Sequence, residues 1–147
     1  MKTALVLGGG GNVGTRIVER LKDGGVWVRA VDVKYPEQTK ADEFVIGDLK
    51  DVSVVSRVMF APKQRTLGSD PDSFDEVYML AHTEGDSAES VYNNTLVNMH
   101  CAYDAVVKGV KKIFFPIREC TPNVFTQGFL KILKDNKNVD IVITDIK

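Results

Sequence analysis

The sequence has little that points to a metal, a membrane or a nucleic acid. In 147 residues it holds two cysteines, Cys101 and Cys120, and two histidines, His82 and His100. There is no CxxC, and the histidines lie far apart, so a metal cluster is not expected. Two such cysteines do not build a disulfide framework, and a reducing cytoplasm is the expected compartment. No apolar run is long enough to cross a bilayer. The first one is short and runs straight into glycines, unlike a signal peptide. Net charge is −1, which offers no attractive field to nucleic acid or to an anionic membrane. Repeats, low-complexity tracts and linkers are also missing. What is left is ordinary for a globular chain, 44% hydrophobic and 27% charged, and the length suits one domain over 1–147.

The informative part is the opening. The apolar run to Leu7 breaks into Gly8-Gly9-Gly10-Gly11-Asn12-Val13-Gly14. Gly8, Gly11 and Gly14 fit G-x-x-G-x-x-G, while Gly9, Gly11 and Gly14 fit G-x-G-x-x-G. Ile17, Val18 and Leu21 then recur with helical period until Asp23-Gly24-Gly25 stops them. Val26–Asp32 reads as a second strand ending in an acid. Strand, glycine turn, helix, strand and acid together describe a dinucleotide-binding βαβ unit. The glycines permit a sharp turn and close approach of the backbone to a pyrophosphate. The N–H groups and positive dipole end of the helix favour that anion.

Strand and helix signals alternate to the end. Strands are expected near Lys2–Leu7, Val26–Asp32, Glu43–Ile46, Glu76–Leu80, Lys112–Phe115 and Val139–Thr144, with Pro116 closing the fifth. Helices are expected at Asn12–Lys22, Asp51–Phe60, Asp86–Lys108 and Phe125–Asn136. Asp86-Ser87-Ala88-Glu89 has the form of a capping box for the long third helix. Ala61–Asp72, with Pro62, Gly68 and Pro71, reads as an exposed loop. This alternation predicts an α/β fold: a Rossmann-like, doubly wound parallel sheet of strand order 3-2-1-4-5-6, with the ligand crevice at the strands' carboxyl ends.

With these residues in view, the chain resembles the extended short-chain dehydrogenase/reductases of the nucleotide-sugar epimerase/dehydratase type, and most of all the GDP-mannose epimerases. The resemblance rests on the glycine loop, Asp32, Gly47-Asp48-Leu49, Tyr78-Met79-Leu80-Ala81-His82, Tyr92-Asn93-Asn94-Thr95 and Lys111-Lys112-Ile113-Phe114-Phe115. It covers the cofactor-binding half of such an enzyme. It implies that Gly8, Gly11, Asn12, Val13 and Gly14 hold a pyrophosphate. Asp32 would accept the adenosine ribose hydroxyls, favouring NAD over NADP, although Lys34 and Arg29 soften that preference. Asp48 and Leu49 would border the adenine. Leu80, Ala81 and His82 would line the central stretch, with Thr95 and Asn98 on the helix behind.

The family's chemistry uses a serine after the fifth strand and a Tyr-x-x-x-Lys pair on the next helix, the tyrosine moving a substrate proton. Here the serine position holds Glu119, and the pair reads Gln127-Gly128-Phe129-Leu130-Lys131. Lys131 survives and could hold a ribose, but glutamine does no acid–base work at neutral pH. The substrate-binding region of such enzymes is not expected within a chain that stops at Lys147. The leading expectation is an NAD-binding module without turnover, binding or regulatory in role. The alternatives are a minimal enzyme using Glu119, Lys131 or His82 on a nucleotide sugar or small carbonyl compound, and an interaction protein that has lost its cofactor. Family members also pair the long helix with its two-fold mate. Val91, Leu96, Val97, Met99 and Tyr103 spread over more than one side of helix 86–108, which predicts an isologous homodimer; another protein partner is the further possibility.

Overall fold

The computed structural model describes residues 1–62, 73–117 and 122–145. Its strands are β1 (Thr3–Leu7), β2 (Trp27–Asp32), β3 (Glu43–Ile46), β4 (Glu76–Met79), β5 (Lys112–Pro116) and β6 (Asp140–Thr144). Its helices are α1 (Asn12–Asp23), α2 (Val52–Val58), α3 (Ala88–Val107) and α4 (Val124–Lys137). The strands form one parallel sheet in the order β3-β2-β1-β4-β5-β6, as the alternation of signals predicts. Glu119 and Cys120, and positions 63–72 of the expected loop, lie outside the described residues.

Every residue of β1 is buried, as befits a central strand covered on both sides. Its alternate side chains feed two cores. Leu5 and Leu7 join Val55 and Val58 of α2, Cys101 and Ala105 of α3, and Leu130 and Leu133 of α4. Ala4 and Val6 join Ile17 and Val18 of α1 on the opposite face. Three helices therefore cover one face and α1 the other. On the α1 side, Tyr78 of β4 stacks on Phe114 of β5 with ring centres 4.6 Å apart. Burial there, with Glu76 nearby, pushes the Tyr78 phenol well above its ordinary range. Burial likewise pushes the Cys101 thiol up, to about 12, which makes it an inert packing group.

One expectation about the long helix needs correction. The cap of α3 is Ser87, whose side chain accepts the Ser90 amide at 3.1 Å; the box beginning at Asp86 is one residue out of register. Its apolar residues do lie on more than one side: Val97 is buried in the core with Cys101 and Ala102, while Val91, Tyr92, Leu96, Tyr103 and Val107 are exposed. The second helix is shorter than expected. It is capped by Asp51 and ends at Val58, before Phe60 bridges Ser73. The Arg29 guanidinium donates to the carbonyls of Val58 and Phe60 and so caps that end.

Among the described residues no helix is long and apolar enough to cross a membrane, and no group of three His, Cys, Asp or Glu side chains could hold a metal ion.

Candidate functional site

The carboxyl ends of β1, β2, β3 and β4 open on a crevice of about 420 Å³, within the range of small-molecule and cofactor sites. At one end it is lined by Asp32, Val33, Asp48, Leu49 and Lys50, from the ends of β2 and β3. At the other it is lined by Leu80, Ala81, His82, Thr83, Asn94 and Val97, from β4 and α3. Gly8 and Gly11 lie between.

The glycine loop is built for close approach. A Cβ on Gly8, which has φ of +89°, would stand 2.5 Å from the Ala81 amide nitrogen, and one on Gly14 would stand 2.7 Å from Gly9 Cα. These two glycines let the loop press against β4 and against the first turn of α1. Gly11 differs. Nothing lies within 4 Å of its ideal Cβ except Gly8 O, at 4.0 Å. Gly11 is the N-cap of α1 and supplies no capping side chain, whereas Asp51, Ser87 and Asn123 cap α2, α3 and α4. The first N–H groups of α1 thus lack the internal acceptor that each other helix has. No acidic side chain stands in that first turn. The helix end beside the crevice is left for an external anion.

Asp32 is fixed by the backbone. Its Oδ2 accepts the Gly10 amide at 2.9 Å and its Oδ1 the Val33 amide at 2.8 Å. Each oxygen keeps a further lone pair for a hydroxyl donor. Asp48 Oδ1 accepts the Lys50 amide at 2.9 Å, and its other oxygen lies 3.8 Å from Lys50 Nζ. His82 is exposed, with Nδ1 3.2 Å from Leu80 O.

Of the residues singled out from sequence, Gly8, Gly11, Asp32, Asp48, Leu49, Leu80, Ala81 and His82 are brought together around this crevice. Asn12, Val13 and Gly14 form the first turn of α1 beside it. Lys131 is not among the lining residues and lies exposed on α4. Gln127 sits in the first turn of that helix, its Nε2 donating to Pro122 O at 2.6 Å. Thr95 Oγ1 accepts Asn123 Nδ2 at 2.6 Å, tying α3 to the start of α4. Asn98 is buried beside it on α3. Sequence reasoning missed Val33, Lys50, Thr83, Asn94 and Val97. The first three immediately follow residues it had singled out, so strand-end position was the available signal.

A family model described as the NAD dependent epimerase/dehydratase family matches residues 4–112. The chain belongs to this family. The match to the NAD dependent epimerase/dehydratase family runs from β1 to the first residue of β5, and so takes in every residue that lines the crevice. Gln127 and Lys131 lie beyond it. A curated relative, GDP-mannose 3,5-epimerase 1 of Oryza sativa subsp. indica, is 30% identical over 133 residues, covering 83% of this chain and 32% of its own length. Among solved structures, the UDP-glucose 4-epimerase of Thermotoga maritima, with UDP-glucose, superposes with a TM-score of 0.77 at 17% identity over 97% of this chain and 54% of its own. A short-chain dehydrogenase/reductase superfamily protein of Agrobacterium tumefaciens with bound NAD superposes with a TM-score of 0.73 at 19% identity, over 97% and 48%. The chain spans about a third of the curated relative and about half of the solved ones.

Proposed function

We propose that residues 1–147 form one NAD-binding domain and that its role is binding or regulation rather than epimerase turnover. The observation that carries the first half is the uncapped amino end of α1, facing a crevice whose far end holds the backbone-fixed carboxylate of Asp32. Gly8, Gly11 and the first turn of α1, with Asn12, Val13 and Gly14, would hold the pyrophosphate. Asp32 would accept the adenosine ribose hydroxyls, and its fixed charge disfavours a 2′-phosphate. Asp48 and Leu49 would border the adenine, and Leu80, Ala81 and His82 the central stretch. Once bound, NAD supplies a hydride acceptor.

The second half rests on what stands near that acceptor. Among the described residues lining the crevice, the titratable groups are Asp32, Asp48, Lys50 and His82. No tyrosine is among them. Gln127, where the family's tyrosine is expected, uses its amide on a backbone carbonyl. Glu119 and Lys131 are the residues to replace if turnover is found.

The test is thermal unfolding with and without saturating NAD, NADH, NADP or NADPH. A ligand that binds only the native state stabilises it by about 2.7 kcal/mol at a hundred times its Kd. A rise in Tm with NAD(H) that disappears in Gly11→Ala supports the site; no rise with any of the four refutes it. Interconversion of nucleotide sugars above background by the pure protein refutes the non-catalytic reading.

We also propose a homodimer through α3. Tyr92, Leu96, Tyr103 and Val107 on α3, with Phe125 and Ile132 on α4, leave large apolar side chains in solvent on the outer layer of the fold. Exposed apolar side chains on two helices in contact with one another favour a partner. Sedimentation as a monomer at micromolar concentration would sink this proposal.

A further inference from the structure

The wall of the crevice beyond His82 is held by a pattern that the cofactor reading does not use. Residues 83–87 leave the end of β4, turn at Gly85 with φ of +102°, and enter α3. A polypeptide strap at a ligand site is free to move unless its backbone groups are tied. This one is tied to a single face of α3, by side chains at positions 90 and 94, which lie four residues apart.

The strongest tie is at Thr83. Its amide donates to Asn94 Oδ1 at 2.7 Å, and its carbonyl accepts Asn94 Nδ2 at 2.8 Å. The side-chain amide therefore pairs with one residue's backbone as a neighbouring strand would. A backbone N–H requires the oxygen and a backbone C=O the nitrogen, so these partners dictate which way the amide points. One turn away, Ser90 Oγ donates to Glu84 O at 3.1 Å. Ser87 Oγ accepts the Ser90 amide and caps the helix. Thr83 and Asn94 both line the crevice, and Thr83 follows the residue assigned to the middle of the dinucleotide.

We propose that Asn94 is a positioning residue: by clamping the Thr83 peptide to α3 it fixes the wall against which the nicotinamide half of the dinucleotide lies. This rests on the proposed cofactor reading and adds a division of labour to it. The adenosine half depends on Asp32 and Asp48, at the ends of β2 and β3, and owes nothing to the clamp. Loss of the clamp therefore weakens binding of the whole dinucleotide and spares its ADP fragment.

The experiment is calorimetric titration of the wild type and Asn94→Ala with NAD and with ADP, alongside amide hydrogen exchange. The expected result is NAD binding weakened on the order of tenfold, as for loss of about one net hydrogen bond's worth of ordering, with ADP binding within twofold of wild type. Exchange at Thr83 accelerates while Leu5 and Cys101, in the core, stay protected. Asn94→Ser, too short to span both groups but still polar, gives the same split if Asn94→Ala fails to fold. Equal weakening of NAD and ADP, or none of either, overturns the clamp and leaves the cofactor reading standing. A wild type that binds neither overturns both.

Discussion

Asp32 reaches back twenty-two residues to take the Gly10 amide at 2.9 Å, so the residue expected to read the ribose also holds the glycine loop in shape. The carboxylate is an arm of the loop as well as a ligand group. Asp32→Ala should lose both roles. Two backbone amides lose their acceptor, with a stability loss of about 1–3 kcal/mol, and NAD binding falls while discrimination against NADP relaxes. Chemical denaturation and parallel titrations with the two dinucleotides measure these effects. A variant that keeps a strong NAD preference contradicts the assignment.

Gly11 offers the converse experiment. Its φ of −79° suits any residue, and its Cβ direction is open. Gly11→Asp supplies the carboxylate cap that α1 lacks. It should raise the stability of the ligand-free protein by about 0.3–1 kcal/mol and abolish the Tm response to NAD, because the new charge takes the anion's place. Gly14→Ala is the contrasting case. Its methyl would press on Gly9 Cα from 2.7 Å, so the protein itself is destabilised by about 1–3 kcal/mol. If Gly11→Asp still responds fully to NAD, the helix end is not the pyrophosphate site.

Leu96 and Val97 are neighbours with opposite surroundings, 48% and 9% exposed. Leu96→Glu should leave monomer stability within about 0.5 kcal/mol and shift sedimentation from dimer to monomer, with NAD binding retained. Val97→Glu should destabilise the fold by about 3 kcal/mol or more, through a buried unpaired charge. Equal and small effects of both would mean that α3 is not packed as described.

These two residues also mark where the sequence ceases to be legible. The sheet could be read because each buried strand is a short apolar run bounded by glycine, proline or acid, and because helix and strand periods alternate. The Gly8–Gly14 turn and Asp32 could be read because their spacing follows from the geometry of one βαβ unit. Helix α3, however, carries two apolar stripes. One packs on the sheet through Val97, Cys101 and Ala105, and the other faces outward through Tyr92, Leu96 and Tyr103. Their overlap hides which residue belongs to which. Asp86 and Ser87 are both good caps, so the helix start was ambiguous by one residue. The pairing of Asn94 with Thr83 has no local signature at all, because it depends on how the chain leaves β4.

Acid should weaken the fold partly through Asp42. Burial opposes its charge, but bonds from Lys22 Nζ and the Val28 amide, each 2.8 Å, outweigh that and hold the carboxyl below its ordinary value of 3.8. A depressed native value means that the stabilisation is fully present above the unfolded value and is lost as pH falls through the native one. Stability followed by urea denaturation should fall as pH drops below about 4. In Asp42→Asn it should be lower at pH 7 and fall less steeply with acid. An identical pH slope in the variant would show that this carboxylate does not contribute.

The position of β1 has a kinetic consequence. Its apolar strand Ala4–Leu7 is synthesised well before the partner that fills one of its edges, β4, which begins at Glu76. At about 5–20 residues per second, this edge waits roughly 4–14 s for its partner. The β1-α1-β2-β3 segment can collapse in that interval, but its inner strand stays half unpaired. The Thr3 amide meets Asp75 Oδ2 at 2.8 Å only when the second half arrives. The nascent chain is therefore most vulnerable to wrong pairing after β3 and before β4 emerges.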